Sequence, residues 1–455
     1  MDISIYKGKK IMILGLGREG IDSLLFFLKK CPKNEIAAAD KSQISCLDPA
    51  VKEILLKNSQ VRIFLGSDYL SALDGYDIIV KSPGIPIHIR EVEQAYKQNK
   101  IVSQASIFFD QCPSPIIGIT GTKGKSTTSS IIYEILRSSG RKVFLLGNIG
   151  TPMLSYLDAA DKESVFVCEL SAHQLYNLKK SPHISILLNI YPEHLDYYSD
   201  YNEYIRAKAN IAVHQSKNDY FIFNSAISEV ANISLVSMAK KIAFNEYKWN
   251  WNGKTNLIGG FNLENAKIGA IVGRLFGISD KIINKAIVEF KPLDNRLEFA
   301  GSFNGIDFYN DSLSTIQESA VAAIGGLGDR VYTLICGGFD RGQPFDKLAA
   351  AILDSNIGAL ILFPTTGIKI WEELQKQVKF TEKNERFSAI APFFVQTMDE
   401  AVNLALSKTK QGKICLLSAA SASFNIFRDY ADRGNCFKKC LVMQTAKSGK
   451  LKNNG

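Results

Sequence analysis

No run in this 455-residue chain approaches the ~20 apolar residues that a membrane-spanning helix needs. The opening residues, MDISIYKGKKIMILG, lack the charged, apolar, small-residue order of a secretory signal and run into a strand-like segment, so a cytoplasmic protein with no membrane partner is expected. None of the eight cysteines, at 31, 46, 112, 168, 336, 415, 436 and 440, forms a C-x-x-C pair, which argues against a zinc ribbon or a thioredoxin-type site. Most sit in apolar runs such as VFVCEL and KICLLSAA and read as reduced, buried, structural thiols. No 20–50-residue repeat is evident. Lys and Arg are scattered rather than gathered into a basic stripe interleaved with aromatics, so the net charge of +9 calls for an anionic partner without calling for nucleic acid. Phosphorylated small molecules fit that charge.

What is present is an alternation of apolar strand-like runs with helical stretches. KKIMILG, EIAAAD, YDIIVKSPG, PIIGITG, KVFLLGN, SVFVCEL and ISILLNI read as buried parallel strands, and segments such as KSTTSSIIYEILRSSG as the helices between them. This is the α/β, multiply wound pattern. A break at Cys112-Pro113-Ser114-Pro115 and another near Lys291-Pro292-Leu293 divide the chain into 1–112, 113–292 and 293–455. The third segment opens on GIDFYND and continues through VYTLICGG, GALILFP and KICLLSA, again an α/β pattern.

Two glycine-rich loops carry the chemistry. GLGREG at 15–20 satisfies G-x-G-x-x-G between a strand and a helix, and Asp40 closes the next strand. Such a turn lets a pyrophosphate approach the helix N-terminus, although a ligand-free βα turn has the same pattern. ITGTKGKSTT at 119–128 is the stronger signal: a strand, a glycine turn and a helix follow in the order of a phosphate loop. Gly121 sits three places before Gly124, not five, so the cradle is a shortened one. Backbone N–H groups of Gly121, Thr122, Lys123, Gly124 and Thr127 would surround phosphate oxygens, Lys125 would reach the β- and γ-phosphates of a triphosphate, and Ser126 could ligate Mg²⁺. Three further residues follow at strand ends or on a helix: Glu169 ending SVFVCEL, His194 in LLNIYPEHLDYY and Lys208 in NEYIRAKANI. A lone histidine or a helical lysine is more often structural, and it is the ordered set that points to a site.

ITGTKGKST, GNIG, ELSAHQL, NIYPEHLD, AKANI, GGFNLENA, DNRLE, NDS and SFNIFRDYADRG together resemble the Mur ligase superfamily, and most closely its glutamate-adding branch. The resemblance implies a three-domain fold: a Rossmann-like domain binding a UDP substrate, a central P-loop ATPase-like parallel-sheet domain, and a C-terminal Rossmann-like domain for glutamate. It implies an ATP-dependent ligase of peptidoglycan precursor synthesis, working as a monomer, that phosphorylates the carboxylate of UDP-N-acetylmuramoyl-L-alanine and lets glutamate displace phosphate. No Ser–His or Cys–His nucleophile is needed. By the same resemblance Lys125 contacts phosphate, Ser126 and Glu169 hold one Mg²⁺, and His194 holds a second together with an N-carbamylated Lys208. Asn265, Arg296 and Asp311 would meet ATP. Arg18, Asp40, Lys41, Ser82, Gly84 and Asn148 would hold the UDP substrate, and Thr315, Arg341, Ser423 and Tyr430 the incoming glutamate.

The third segment departs from the familiar pattern. Leu313 and Arg341 stand where lysines are familiar, Tyr430 where phenylalanine is common, and His173 where an aromatic is usual. Because Arg and Lys present different geometries to a carboxylate, these changes suit a variant branch that takes L-glutamate. D-glutamate is the default expectation. A nicotinamide-dependent oxidoreductase would explain GLGREG and leave GTKGKST idle, and a non-catalytic nucleotide-binding regulator would not need a third domain with its own charged pocket. Folylpolyglutamate synthesis is a minor alternative within the superfamily.

Overall fold

The computed structural model describes residues 2–193, 197–251, 253, 255–379 and 383–452, without the side chains of 445–452. Three β-sheets organise the chain. The first contains β1 (Ile11–Leu14), β2 (Ile36–Asp40), β3 (Arg62–Leu65), β4 (Ile78–Lys81) and β5 (Ile101–Val102), in the order β3-β2-β1-β4-β5. All its pairs are parallel. The second contains β6 (Ile116–Thr120), β7 (Val143–Gly147), β8 (Val165–Glu169), β9 (Ile184–Leu187), β10 (Tyr220–Phe223) and β11 (Lys240–Ala243), ordered β11-β10-β9-β6-β8-β7 and also parallel throughout.

The third contains β12 (Glu298–Phe303), β13 (Ile306–Asn310), β14 (Val331–Gly337), β15 (Ala359–Phe363), β16 (Ala391–Phe394) and β17 (Ile414–Leu417), ordered β12-β13-β17-β14-β15-β16. Only its β12–β13 pair is antiparallel. Sequence dictates where each strand sits. β1, β6, β8, β9, β15 and β17 are buried along their whole length, as strands covered by helices on both faces must be. The outermost β3 and β11 are half-exposed and carry Arg62, Lys240 and Lys241, charges that blunt an open edge.

The chain divides into two compact units, 1–253 with 264–287, and 254–263 with 288–455, so the first two sheets share one unit. Their junction is polar. The helix Arg18–Lys30 sends Asp22 to the backbone N–H of Leu154 (3.0 Å), while Lys29 (2.7 Å) and Lys30 pair with Asp158. Beneath it runs an apolar core in which Phe166 of β8 stacks on Phe144 (centroids 5.2 Å) and meets Phe108 edge-on (5.2 Å). In the second unit Phe308 of β13 packs against Phe437 of the helix Tyr430–Lys452. Six of the eight cysteines are buried and all are free thiols, and Cys46 is exposed.

Phe166 lies three residues before the Glu169 end of β8 and is fully buried. Phe166→Ala is expected to destabilise the first unit by about 3–5 kcal/mol, read as a lower urea midpoint.

Candidate active site

The central loop closes on the carboxyl ends of adjacent strands. β6 lies between β8 and β9, with Ile119 beside Glu169 and Thr120 beside Leu187. The chain leaving β6 turns at Gly124, whose φ of +88° is a left-handed conformation that favours glycine, and enters the helix Lys125–Ser138. A Cβ at Gly124 would press within 3.1 Å of Asn265 Oδ1 and Leu188 Cδ1. Asn189, just past β9, holds the turn. Its Oδ1 accepts from the Lys123 N–H (2.8 Å), its Nδ2 donates to Lys123 O (3.1 Å), and its carbonyl accepts from the Thr122 N–H (3.0 Å). Thr122 Oγ1 in turn accepts from the Tyr191 N–H (2.9 Å) and lies 3.1 Å from the Tyr204 hydroxyl.

Cations converge here. Lys125 Nζ donates to the carbonyls of Gly121 (2.9 Å) and Thr122 (3.0 Å), and Lys123 pairs with Glu193 (3.0 Å). Lys208, on the helix Tyr201–Ala209, is only 2% exposed. Its Nζ donates to Gly121 O (3.0 Å) and lies over the Tyr204 ring at 4.8 Å. Burial, reinforced by the positive charge of Lys125, pushes its amine well below the ordinary lysine range.

On the other side of the loop stands Glu169, 1% exposed. Its Oε1 accepts from Asn148 Nδ2 (2.8 Å), while Oε2 is buried and has no hydrogen-bond partner among the described residues. A buried carboxylate oxygen with nothing to meet it is costly unless a cation completes it. Ser126, at the start of the phosphate-loop helix, is also buried. Among the described residues no three His, Cys, Asp or Glu side chains gather as a metal cage, and His194 lies outside the described residues. The donors present suit an ion that keeps water and phosphate ligands, as Mg²⁺ does. Asn265 lies on the helix Gly260–Leu275, where its Oδ1 accepts from Thr128 Oγ1 (3.0 Å) behind the glycine turn.

A second cavity, of about 350 Å³, opens at the carboxyl edge of the first sheet. Arg18, Asp40, Ser82, Gly84 and Asn148 line it together, with Gly15, Gly17 and Glu19. Lys41 is exposed and is not part of that lining. Asp40 is held inward, its oxygens accepting from the N–H groups of Leu16 and Ser42 (2.8 Å each). Arg18 Nη2 reaches Gly150 O (2.9 Å), tying this loop to GNIG. Lys81 is buried at the end of β4, donating to Ile85 O (2.8 Å), Ser82 O (3.2 Å) and the Tyr197 hydroxyl (3.2 Å). Burial lowers its pKa to about 8. His173 meets Tyr197 edge-on (centroids 4.1 Å) within a tyrosine cluster, so an imidazole fills the aromatic position.

In the second unit, loops leaving the neighbouring strands β13, β17 and β14 bring Thr315, Ser423 and Arg341 to one sheet edge. Arg341 is exposed and lies over the Phe424 ring at 5.3 Å. Asp311 faces inward. It accepts from Ser418 Oγ (2.9 Å), Ser314 Oγ and the Leu297 N–H (3.1 Å), so it fixes the loop that carries Arg296, and burial raises its pKa to about 6. Arg433, 1% exposed, clasps this edge: it donates to Ser312 Oγ (3.0 Å), Ser312 O (2.7 Å) and Ser421 O (3.0 Å), while Ser312 Oγ donates to Tyr430 O (2.7 Å).

Asn189, Glu19, Lys81, Gln174 and Arg433 were not singled out from sequence. Asn189, Gln174, Arg433 and Glu19 do fall inside NIYPEHLD, ELSAHQL, SFNIFRDYADRG and GLGREG, which were.

A parallel sheet with a glycine phosphate loop, preceded along the chain by a dinucleotide-type sheet and followed by a third α/β sheet, is the order of elements of an ATP-dependent ligase. The Mur ligase middle domain matches residues 119–252, and the N-terminal domain of the Mur ligase MurD-like kind matches residues 9–103. The UDP-N-acetylmuramoylalanine–D-glutamate ligases of Acetivibrio thermocellus and Ruminiclostridium cellulolyticum are each 31% identical to this chain over 96% of its length, covering 96% and 97% of theirs. That of Clostridium botulinum strain Okra is 32% identical over 96% of this chain and 97% of its own.

Among solved structures, MurC from Thermotoga maritima (TM-score 0.58, 13% identity) covers 97% of this chain and 100% of its own. MurF from the same organism in complex with ADP (0.59, 16%) covers 97% and 96%, and both share the fold. Folylpolyglutamate synthase of Mycobacterium tuberculosis shares it over 73% of this chain and 94% of its own (0.55, 12%). The chain belongs to the Mur ligase family, with an N-terminal domain of the MurD-like kind. That membership sets the nicotinamide oxidoreductase reading aside.

The first loop leaves no room for a side chain at Gly20, where a Cβ would lie 1.8 Å from Gly15 O. Gly20→Ala is expected to destabilise the first unit by about 1–3 kcal/mol, measured by thermal unfolding.

Proposed function

We propose that this chain is an ATP-dependent ligase that joins D-glutamate to UDP-N-acetylmuramoyl-L-alanine in peptidoglycan precursor synthesis. The observation that carries the reading is likeness along nearly the whole chain to ligases of that printed activity, at 31–32% identity. The geometry supports it. The 350 Å³ cavity holding Arg18, Asp40, Ser82, Gly84 and Asn148 has the glycine loop and helix N-terminus that suit a uridine diphosphate. Asn148 lines that cavity and also bonds Glu169, so a substrate carboxyl held near Asn148 would lie close to the phosphate loop. Residues 1–112, 113–292 and 293–455 then serve the nucleotide substrate, ATP and glutamate in turn.

The chemistry is a phosphoryl transfer followed by an acyl transfer. A carboxylate oxygen of the alanyl group attacks the γ-phosphorus, and the bond to the β-phosphate oxygen breaks. The resulting acyl phosphate is attacked by the amine of glutamate, an amide bond forms, and inorganic phosphate leaves with one oxygen from the original acid. Lys125 exchanges its two loop carbonyls for β- and γ-phosphate oxygens, and the N–H groups of residues 121–127 orient the chain of phosphates. Glu169, Ser126, His194 and carbamylated Lys208 would hold divalent cations. Bound Mg²⁺ supplies neutralisation of developing charge on the phosphoryl oxygens.

Lys208 suits carbamylation because attack on CO₂ requires the neutral amine that its buried position favours. Asn265, Arg296 and Asp311 belong to the nucleotide side, Asp311 by fixing the Arg296 loop. Thr315, Arg341, Ser423 and Tyr430 form the glutamate pocket. Leu313 and Arg341 favour, as a second reading, an enzyme that takes L-glutamate.

Incubation with ATP, Mg²⁺, UDP-N-acetylmuramoyl-L-alanine and each glutamate enantiomer separately should release phosphate with the D isomer. Release with the L isomer alone transfers the assignment to the second reading, and release with neither overturns both. Lys208→Ala is expected to lower kcat by about a hundredfold or more, with partial recovery on adding short carboxylic acids. Asn189→Ala, which frees the loop from two side-chain hydrogen bonds, is expected to weaken ATP binding by about 1–3 kcal/mol, measured as KM for ATP.

A further inference from the structure

The donor cavity contains a carboxyl that a diphosphate should repel. Glu19 lies in the first turn of the helix Arg18–Lys30 and lines the same cavity as Gly15, Gly17 and Arg18. Its Oε1 accepts from Gln174 Nε2 (2.6 Å). That amide cannot turn over without loss, because Gln174 Oε1 is already engaged by the Ser171 N–H (2.9 Å) in a capping box. Gln174 is the one hydrogen-bond partner of the Glu19 carboxyl among the described residues, so its second oxygen is left to whatever enters. Burial raises the pKa of the group to about 7.

Four charged groups bear on it. Arg18 and Asp22 share its helix, Lys81 stands at the end of β4, and Asp40 closes β2 across the cavity. Arg18 is drawn to Gly150 O, and Lys81 is occupied by two carbonyls and a tyrosine. Asp40 accepts from two backbone N–H groups. A diphosphate diester brought into this cavity therefore meets two carboxyl groups, Asp40 and Glu19.

We propose that Glu19 binds the nucleotide substrate as the neutral acid, accepting a proton from solvent and donating it from its free oxygen to a phosphoryl oxygen. The inference rests on the cavity being the UDP site. Its consequence is a donor affinity coupled to pH. Below the pKa of the acid the site is ready. Above it each binding event takes up a proton, so affinity falls as pH rises, approaching about tenfold per pH unit. The diphosphate diester and the alanyl carboxylate stay ionised throughout, and the uracil N3–H of the ligand titrates only at about pH 9, so uptake up to about pH 8.5 belongs to the protein.

The test is calorimetric titration of the full-length wild-type chain with UDP-N-acetylmuramoyl-L-alanine, in buffers of different ionisation enthalpy, from about pH 6 to about pH 8.5. Wild type should take up close to one proton at the alkaline end and bind more weakly there. Glu19→Gln keeps an acceptor for Gln174 and offers an N–H in place of the acid proton. It should take up no proton and bind with an affinity flat across the range. Glu19→Ala should also be flat, but weaker throughout. Uptake persisting in Glu19→Gln would assign the proton to Lys81 and overturn the inference, as would wild-type binding with no uptake. Failure of wild type to bind the compound at any pH would overturn the donor-site reading itself, a result distinct from either.

Discussion

The central site depends on accommodating crowded positive charge. Three lysines, at 123, 125 and 208, reach one five-residue turn, and each relieves its burden differently. Lys123 takes a carboxylate partner, Lys125 folds onto loop carbonyls, and burial pushes the Lys208 amine well below the ordinary lysine range. Opposite them Glu169 keeps a buried oxygen unpartnered. Neither side is stable in isolation, since an unsatisfied buried acceptor and a crowd of ammonium groups both disfavour the folded state. The fold tolerates them because β6, which leads into the loop, and β8, which ends at Glu169, are fully buried along their whole length, and because Asn189 fixes the turn. An anionic nucleotide with its cations relieves both imbalances at once.

Much of the fold was legible from apolar runs. The strand-like segments read from sequence correspond to β1, β2, β4, β6 to β9, β13 to β15 and β17. Missed were β3, β5, β10, β11, β12 and β16, all edge strands of their sheets except β10. An edge strand is covered on fewer sides, carries charge or is short, and so leaves no continuous apolar run. The antiparallel β12 was invisible for a further reason: Gly301 sits at its bulge and breaks the pattern.

The site was legible where a motif encodes backbone geometry, and obscure where burial decides. Glycine spacing announced both loops. Asp40 lines the cavity as expected and also accepts from two backbone N–H groups, and the oxygens of Asp311 accept from hydroxyl and backbone donors that shape the Arg296 loop, roles that no motif spells out. Lys41 was expected beside Asp40 and is instead exposed, outside the cavity lining. Glu19 and Lys81 carried no signal, because an acid inside G-x-G-x-x-G or a lysine ending a strand looks like ordinary surface charge until the neighbouring sheet covers it. His173, odd as a sequence letter, is ordinary as a ring among tyrosines.

Arg433 has a consequence for biogenesis. Its guanidinium joins residue 312 to residue 421 from a helix that follows the last strand, and among the described residues its partners are neutral oxygens alone. During synthesis on the ribosome, the loops bearing Ser312 and Ser421 emerge before their clasp does. This sheet edge is thus the last part of the third sheet to set, and nascent chains halted short of this residue would possess the first two sheets while the third stayed unlatched.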